Sequence, residues 1–239
     1  TEIYTLSLHD ALPISESSDI GVFVDKMIEM NLSNSIFIDN TADNKIPTLY
    51  EKIFNASISV ATPNKIAASS RYDHYNRLKY LAKSNNVQFL FETNVGAGLP
   101  VISTLRNLIH SGDRIIKIEA VLSGSVSFIF NHFEGSKSFS QLVTEAKNLG
   151  FTEPDPRDDL SGADVARKIT ILAREAGYRV ETSDVRIQPI LPERCLKAKD
   201  VNSFFEILKE EDNYFDSLLE KAKNEKGVLR FIAKAEIGR

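Results

Sequence analysis

The chain has 239 residues, 42% of them apolar, and a formal net charge of −4. That length suits one large or two small domains, and the chain has neither the basic excess nor the cation–aromatic clusters that nucleic-acid binding needs. No apolar run is long enough to span a bilayer, and a single cysteine, Cys195, precludes an internal disulfide, so a cytoplasmic setting away from membranes is expected.

Residues 1–15, TEIYTLSLHDALPIS, lack the basic and apolar regions of a signal peptide and are expected to be a non-native leader. The chain stops at AEIGR, just after a strand-like run over Val228–Ala233, so both ends are expected to be cut from a longer protein. From Glu16 onward, helix and strand patterns alternate. Ile20–Met30 fits a helix, and SIFIDNT (35–41) is a short strand ending in Asn40 and Thr41. Ile46, Leu49, Tyr50, Ile53 and Phe54 recur at helical spacing. SISVAT (57–62) is the next strand, Arg71–Ser84 a helix, and VQFLFET (87–93) a further strand. Short apolar strands alternating with helices predict right-handed crossovers and a parallel sheet, the later half of a doubly wound α/β nucleotide-binding domain.

A second region starts near Gly98. Pro100 opens a helix to about His110, and DRIIKIEAVL (113–122) reads as a long strand. SGSVSFIFNHF starts a helix with a mixed face. Ser138 and Gln141 form a capping box for a helix ending at Gly150. Ala163–Ala176 is a strong helix closed by Gly177, and two polar helical stretches follow, around 201–209 and 212–224.

The chemistry concentrates in TEPDPRDDLSGADVARK (152–168). Glu153, Asp155, Asp158, Asp159 and Asp164 fall within twelve residues. Most such runs are solvated surface, but Pro154 and Pro156 stiffen this one. Asp164 and Lys168 are four apart on a predicted helix and share a face. A lysine held against a carboxylate at a cleft suits hydrogen bonding to a reacting oxygen. A calcium loop from Asp155 fails, because its third, sixth and twelfth positions are Arg157, Leu160 and Ala166. A two-metal hydrolase is a rival reading, with the cations Arg157, Arg167 and Lys168 weighing against it.

Two strand ends add candidates. Thr41 and Lys65 (in ATPNK, 61–65) follow successive strands, where doubly wound sheets bind ligands. In ETNVGAGLP (92–100), Gly96 and Gly98 invite a dinucleotide reading, but the third glycine of G-x-G-x-x-G falls at Val101. A tight turn is the plainer reading; the Glu92 carboxylate with exposed backbone carbonyls would suit a hard cation. Cys195 reads as a plain free thiol, and no histidine pair has metal-ligand spacing.

Taken in order, DNT, ATPNK, ETNVGAGLPVI, LSGSVSFIFN and TEPDPRDDLSGADVARK closely resemble homoserine dehydrogenase over roughly residues 16–239, most of all the dehydrogenase half of bifunctional aspartokinase–homoserine dehydrogenases. The resemblance implies an incomplete Rossmann-type doubly wound domain over 16–98. It implies an incomplete α+β catalytic and dimerisation domain with a mixed sheet over 99–239. It also implies NADPH- or NADH-dependent interconversion of L-aspartate 4-semialdehyde and L-homoserine, in threonine and methionine biosynthesis, by a homo-oligomer. On the matching motifs, Lys168 corresponds to the catalytic lysine and Asp164 to its orienting partner, which also holds the substrate hydroxyl. Glu153 would bind the substrate ammonium, with Asp159 behind it. Thr41, Lys65, Gly150 and Glu153 fall where the family contacts its cofactor, and Glu92 with the carbonyls of Val95, Ala97 and Leu99 resembles its sodium site. The Gly-rich βα turn that opens the family has no counterpart between Glu16 and Asp39, so the alternative expectation is a catalytically silent chain that only folds and associates.

Overall fold

The computed structural model describes residues 19–236. The expected leader and the last three residues lie outside them. The described residues form two compact units. One runs up to Arg114 and regains Thr170–Asp184; the other holds Ile115–Ile169 and the chain from Val185 onward.

In the first unit, Asp19 accepts the Gly21 and Val22 N–H groups and starts helix α1, Ile20–Met30. Strand β1 (Ile36–Ile38) is followed by a 3₁₀ turn, Ile46–Leu49, that leads into α2 (Tyr50–Asn55). Pro47 sits in its first turn, where the ring is tolerated because no N–H is needed, and the helical spacing seen from Ile46 begins as this 3₁₀ turn. Strand β2 (Ser59–Ala61), α3 (Lys65–Ser69), α4 (Tyr72–Ser84) and β3 (Phe89–Leu90) follow. The three strands are parallel in the order β1-β2-β3, with Phe37 opposite Val60 and Val60 opposite Phe89. Tyr50, Ile53, Phe54, Val60 and Leu78 are wholly buried around them. Phe54 and Phe89 meet edge to face at 5.5 Å. Helix α5 (Val101–His110) completes this stretch.

The second unit opens with β4 (Lys117–Ala120), shorter than its apolar run because only four residues find a partner. That partner, β5, is Ala233–Glu236, antiparallel, with Lys117 opposite Glu236. The strand therefore lies beyond most of the expected Val228–Ala233 run. Between them in the chain come α6 (Gly124–His132), α7 (Phe139–Asn148), α8 (Pro156–Leu160), α9 (Ala163–Glu175, of which the residues from Thr170 onward belong to the first unit), α10 (Glu193–Leu196), α11 (Val201–Glu210) and α12 (Asp212–Asn224). The capping box at Ser138 and Gln141 forms as expected. Helices α11 and α12 are amphipathic rather than polar. They bury Phe204, Leu208, Phe215 and Leu219 against α6 and α7, and Phe215 stacks on Phe139 at 3.7 Å. Burying one such ring stabilises by about 1.5–3 kcal/mol, so these helices are part of the core. Cys195 is fully buried there, and burial pushes its thiol up to about 11, which fits a plain free thiol. Among the described residues no helix is long and apolar enough to cross a membrane.

Candidate active site

Helix α9 carries the expected pair. Its Val165 and Ile169 are buried against Ala233, with Ile118 and Leu122 packed beside them. That face fixes the rotation of the helix and so the direction of its charged residues. Lys168 Nζ lies 2.6 Å from Asp164 Oδ2 and donates to the Leu122 carbonyl at 2.7 Å. The lysine side chain is only 17% exposed. An ammonium has three donors; two are used, and the third has no partner among the described residues. The carboxylate and the main-chain carbonyl together hold the ammonium in one place, which a surface i,i+4 pair alone, at about 0.3–0.5 kcal/mol, would not do.

Three residues after Leu122, the Ser125 hydroxyl donates to Asp159 Oδ1 at 2.8 Å. The other oxygen of Asp159 accepts the Glu153 N–H at 2.8 Å. Asp159 thus holds the backbone of Glu153, while the exposed Glu153 carboxylate has no hydrogen bond or ion pair among the described residues. The structure ties Lys168 to Leu122 and Asp159 to Ser125, so one short segment touches both groups. Sequence reading missed Leu122 and Ser125: a carbonyl has no residue signature, and a serine at the start of a helix looks like a cap. Ser123 is in fact the cap of α6, through the Val126 N–H.

Asp155 is engaged elsewhere. Asp155 caps α8, with Pro156 as the first helical residue, so the stretch 156–160 is a short helix and not the stiffened loop expected. Asp155 also pairs with Arg157 through Nε (2.9 and 3.0 Å) and Nη2 (2.5 Å). The Arg157 guanidinium holds the Asp155 carboxyl below its usual range, and Asp155 raises Arg157 in return. Arg157 further donates to the Ala198 carbonyl at 2.5 Å. These contacts engage the Asp155 carboxylate, and among the described residues no group of three or more His, Cys, Asp or Glu side chains is placed to hold a metal ion.

In the first unit, Thr41 and Lys65 follow the carboxyl ends of neighbouring parallel strands, as expected. One buried acid joins these two ends. Asp39, 1% exposed, accepts the Thr41 N–H (2.9 Å) and hydroxyl (2.7 Å) on one oxygen. Its other oxygen accepts the Tyr50 hydroxyl (2.5 Å) and the Asn64 amide (3.2 Å). Asn64 in turn caps α3, whose first residue is Lys65. Asp39 escaped notice in DNT because an acid next to a strand end reads as a turn residue. Gly150 ends α7 in the second unit with a φ of +73°, a conformation that favours glycine.

Glu92 has a role that sequence spacing does not show. Its two oxygens accept the Ile102 and Ser103 N–H groups at 2.8 and 2.9 Å and so cap α5. The Gly96–Gly98 segment is a tight turn: Gly96 has φ +85°, and a Cβ there would come within 2.5 Å of Val101. Among the described residues the carbonyls of Val95 and Ala97 accept no hydrogen bond, whereas that of Leu99 accepts the Val101 N–H at 2.9 Å.

Residues 100–238 match the family model described as homoserine dehydrogenase, and residues 12–92 match its NAD binding domain. The bifunctional aspartokinase/homoserine dehydrogenase of Buchnera aphidicola is 46% identical over 86% of this chain, which spans 25% of that relative. The homoserine dehydrogenase of Schizosaccharomyces pombe is 44% identical over 85% of the chain, which spans 56% of it. Among solved structures, a Candida auris protein of unknown function superposes with a TM-score of 0.86 and 37% identity, over 92% of this chain and 63% of that one. A hyperthermophilic archaeal homoserine dehydrogenase in complex with NADPH gives a TM-score of 0.55 and 32% identity, over 68% of this chain and 52% of that one. By these matches, over both its parallel-sheet unit and its helix-rich unit, the chain belongs to the homoserine dehydrogenase family.

Proposed function

We propose that the protein carrying this chain interconverts L-homoserine and L-aspartate 4-semialdehyde with NADP or NAD, in the cytoplasm and as a homo-oligomer. The observation that carries this reading is Lys168, a nearly enclosed ammonium fixed by Asp164 and the Leu122 carbonyl, with no third partner among the described residues. In the reducing direction its third donor hydrogen bonds to the aldehyde oxygen, stabilises the alkoxide as it develops and delivers the proton. Asp164 orients the lysine and accepts from the product hydroxyl. Glu153, its backbone held by Asp159, binds the substrate ammonium. The bound nicotinamide supplies or takes up the hydride.

Thr41 and Lys65, with Gly150 and Glu153, are the residues proposed to hold the cofactor. The fit rests on Asp39, which presets the ends of both strands where a nucleotide is expected in such a sheet. A sodium ion is proposed on Glu92 with the carbonyls of Val95, Ala97 and Leu99. The two carbonyls without donors and the carboxylate are the hard oxygen ligands that such a cation takes.

The test is absorbance at 340 nm with homoserine and NADP⁺ in the intact protein. Lys168→Ala should lower kcat by about 10²–10⁴-fold with little change in cofactor affinity. Unchanged turnover would remove Lys168 from this role.

A further inference from the structure

The first unit holds a cavity of 580 Å³ that the proposed reaction does not use. Val87, Gln88 and Phe89 line it, at the amino end of β3. Thr41 and Lys65 follow the carboxyl ends of β1 and β2, and all three strands are parallel, so the cavity lies at the opposite edge of the sheet.

Its polar wall is built around Glu175, whose side chain is 2% exposed. That carboxylate accepts from the Tyr75 hydroxyl, from Lys79 at 3.0 and 3.1 Å, and from Arg106 Nε at 2.5 Å. Lys83 also lines the cavity and has no ion pair among the described residues. Three cations therefore face the space against one carboxylate, whose two oxygens are already used. Arg174 lies there too, but Glu181 neutralises it.

Of the two cations paired with Glu175, Arg106 is the less satisfied. Its guanidinium lies over the Phe91 ring at 5.0 Å, and among the described residues it makes one hydrogen bond, through Nε. Nη2 is buried with no partner among the described residues, a costly and uncommon state for a native donor. The side chain as a whole keeps 28% exposure, so it can be reached from the cavity. A planar fork with spare donors, in a concave wall of surplus positive charge, matches an oxyanion in shape and sign.

We propose that this cavity binds a small oxyanion, a phosphate or carboxylate group, on Arg106 with Lys79 and Lys83. Arg106 donates from the part of its guanidinium that the cavity reaches, Lys79 adds a point charge, and Lys83 attracts the ion from the rim.

Titration calorimetry of the chain with inorganic phosphate and, separately, malonate, at an ionic strength fixed with sodium chloride, tests this. At least one anion should bind saturably, and the stronger one identifies the oxyanion class. Arg106→Gln should weaken that binding by at least about tenfold, and Lys83→Gln by about threefold. Lys65→Gln should leave it unchanged, which separates this cavity from the other edge of the sheet. If Arg106→Gln does not fold, Lys83→Gln decides, because it alters an exposed side chain only. Absence of saturable binding by either anion, or affinity that Lys83→Gln leaves intact, would overturn the proposal.

Discussion

Replacing Asp39 with asparagine changes one buried oxygen to an amide nitrogen and little else in shape. The carboxylate now takes four donors: two from Thr41, one from Tyr50 and one from Asn64. If the remaining oxygen stays with Thr41, the new nitrogen faces the Tyr50 hydroxyl and the Asn64 amide. The hydroxyl can turn and accept. The Asn64 amide cannot, because its oxygen is committed to the Ile66 N–H at 3.0 Å. One bond to a charged acceptor is lost and a second is weakened, at about 1.5–3 kcal/mol for a full bond of this kind. The expected loss is about 2–4 kcal/mol, a large share of the roughly 5–15 kcal/mol that keeps a domain folded. The chain has no tryptophan, so urea unfolding is best followed by circular dichroism. Tm should fall by roughly 5–15 °C. A loss below about 1 kcal/mol would show that Asp39 is not the junction between Thr41 and the turn before Lys65.

Three further outcomes are expected. Glu153→Gln should raise KM for homoserine by roughly 10–100-fold, with a smaller change in kcat, since it removes the charge from an ammonium contact; equal KM values would free Glu153 from that role. Burial pushes the Glu175 carboxyl up, but Lys79 and Arg106 outweigh it and leave it below the usual range. The stabilisation from Glu175 is therefore complete above about pH 4.3, the unfolded value, and is lost as pH falls through the lower folded one. Glu175→Gln should flatten the fall in unfolding free energy between about pH 5 and pH 3, and an unaltered slope would contradict the assignment. Gly96→Ala should destabilise by about 1–3 kcal/mol, because the added methyl meets Val101 and the backbone has a positive φ; urea midpoints equal to wild type would show that the turn can relax.

Lys168 and Asp164 were legible because their spacing becomes a shared face as soon as a helix forms, and nothing distant is needed. Thr41 and Lys65 were legible for a topological reason, as successive strand ends in a parallel sheet. What escaped is what packing decides. Pro156 could stiffen a loop or start a helix, and only the Asp155 cap settles it. Glu92 reaches N–H groups ten and eleven residues ahead. Glu175 collects donors from α4 and α5, up to a hundred residues back in the chain. The frequent charges of α11 and α12 hid the apolar stripe of Phe204, Leu208, Phe215 and Leu219. The edges of β4 and β5 depend on register with each other, which no local window contains.

The contact between Lys168 and the Leu122 carbonyl has a genetic consequence. Every residue type presents that oxygen, so no side-chain exchange at position 122 deletes it, and a mutational scan of that position would report packing alone. The oxygen moves only if the path of 122–125 moves, and that path also carries the Ser125 hydroxyl to Asp159. Lesions at Ser125, Asp159 and Lys168 should therefore interact in double-mutant cycles and not sum. Half of the lysine's anchorage is written in the course of the main chain and is open to replacement only by chemistry that alters the peptide bond itself, such as an ester at the Leu122–Ser123 linkage.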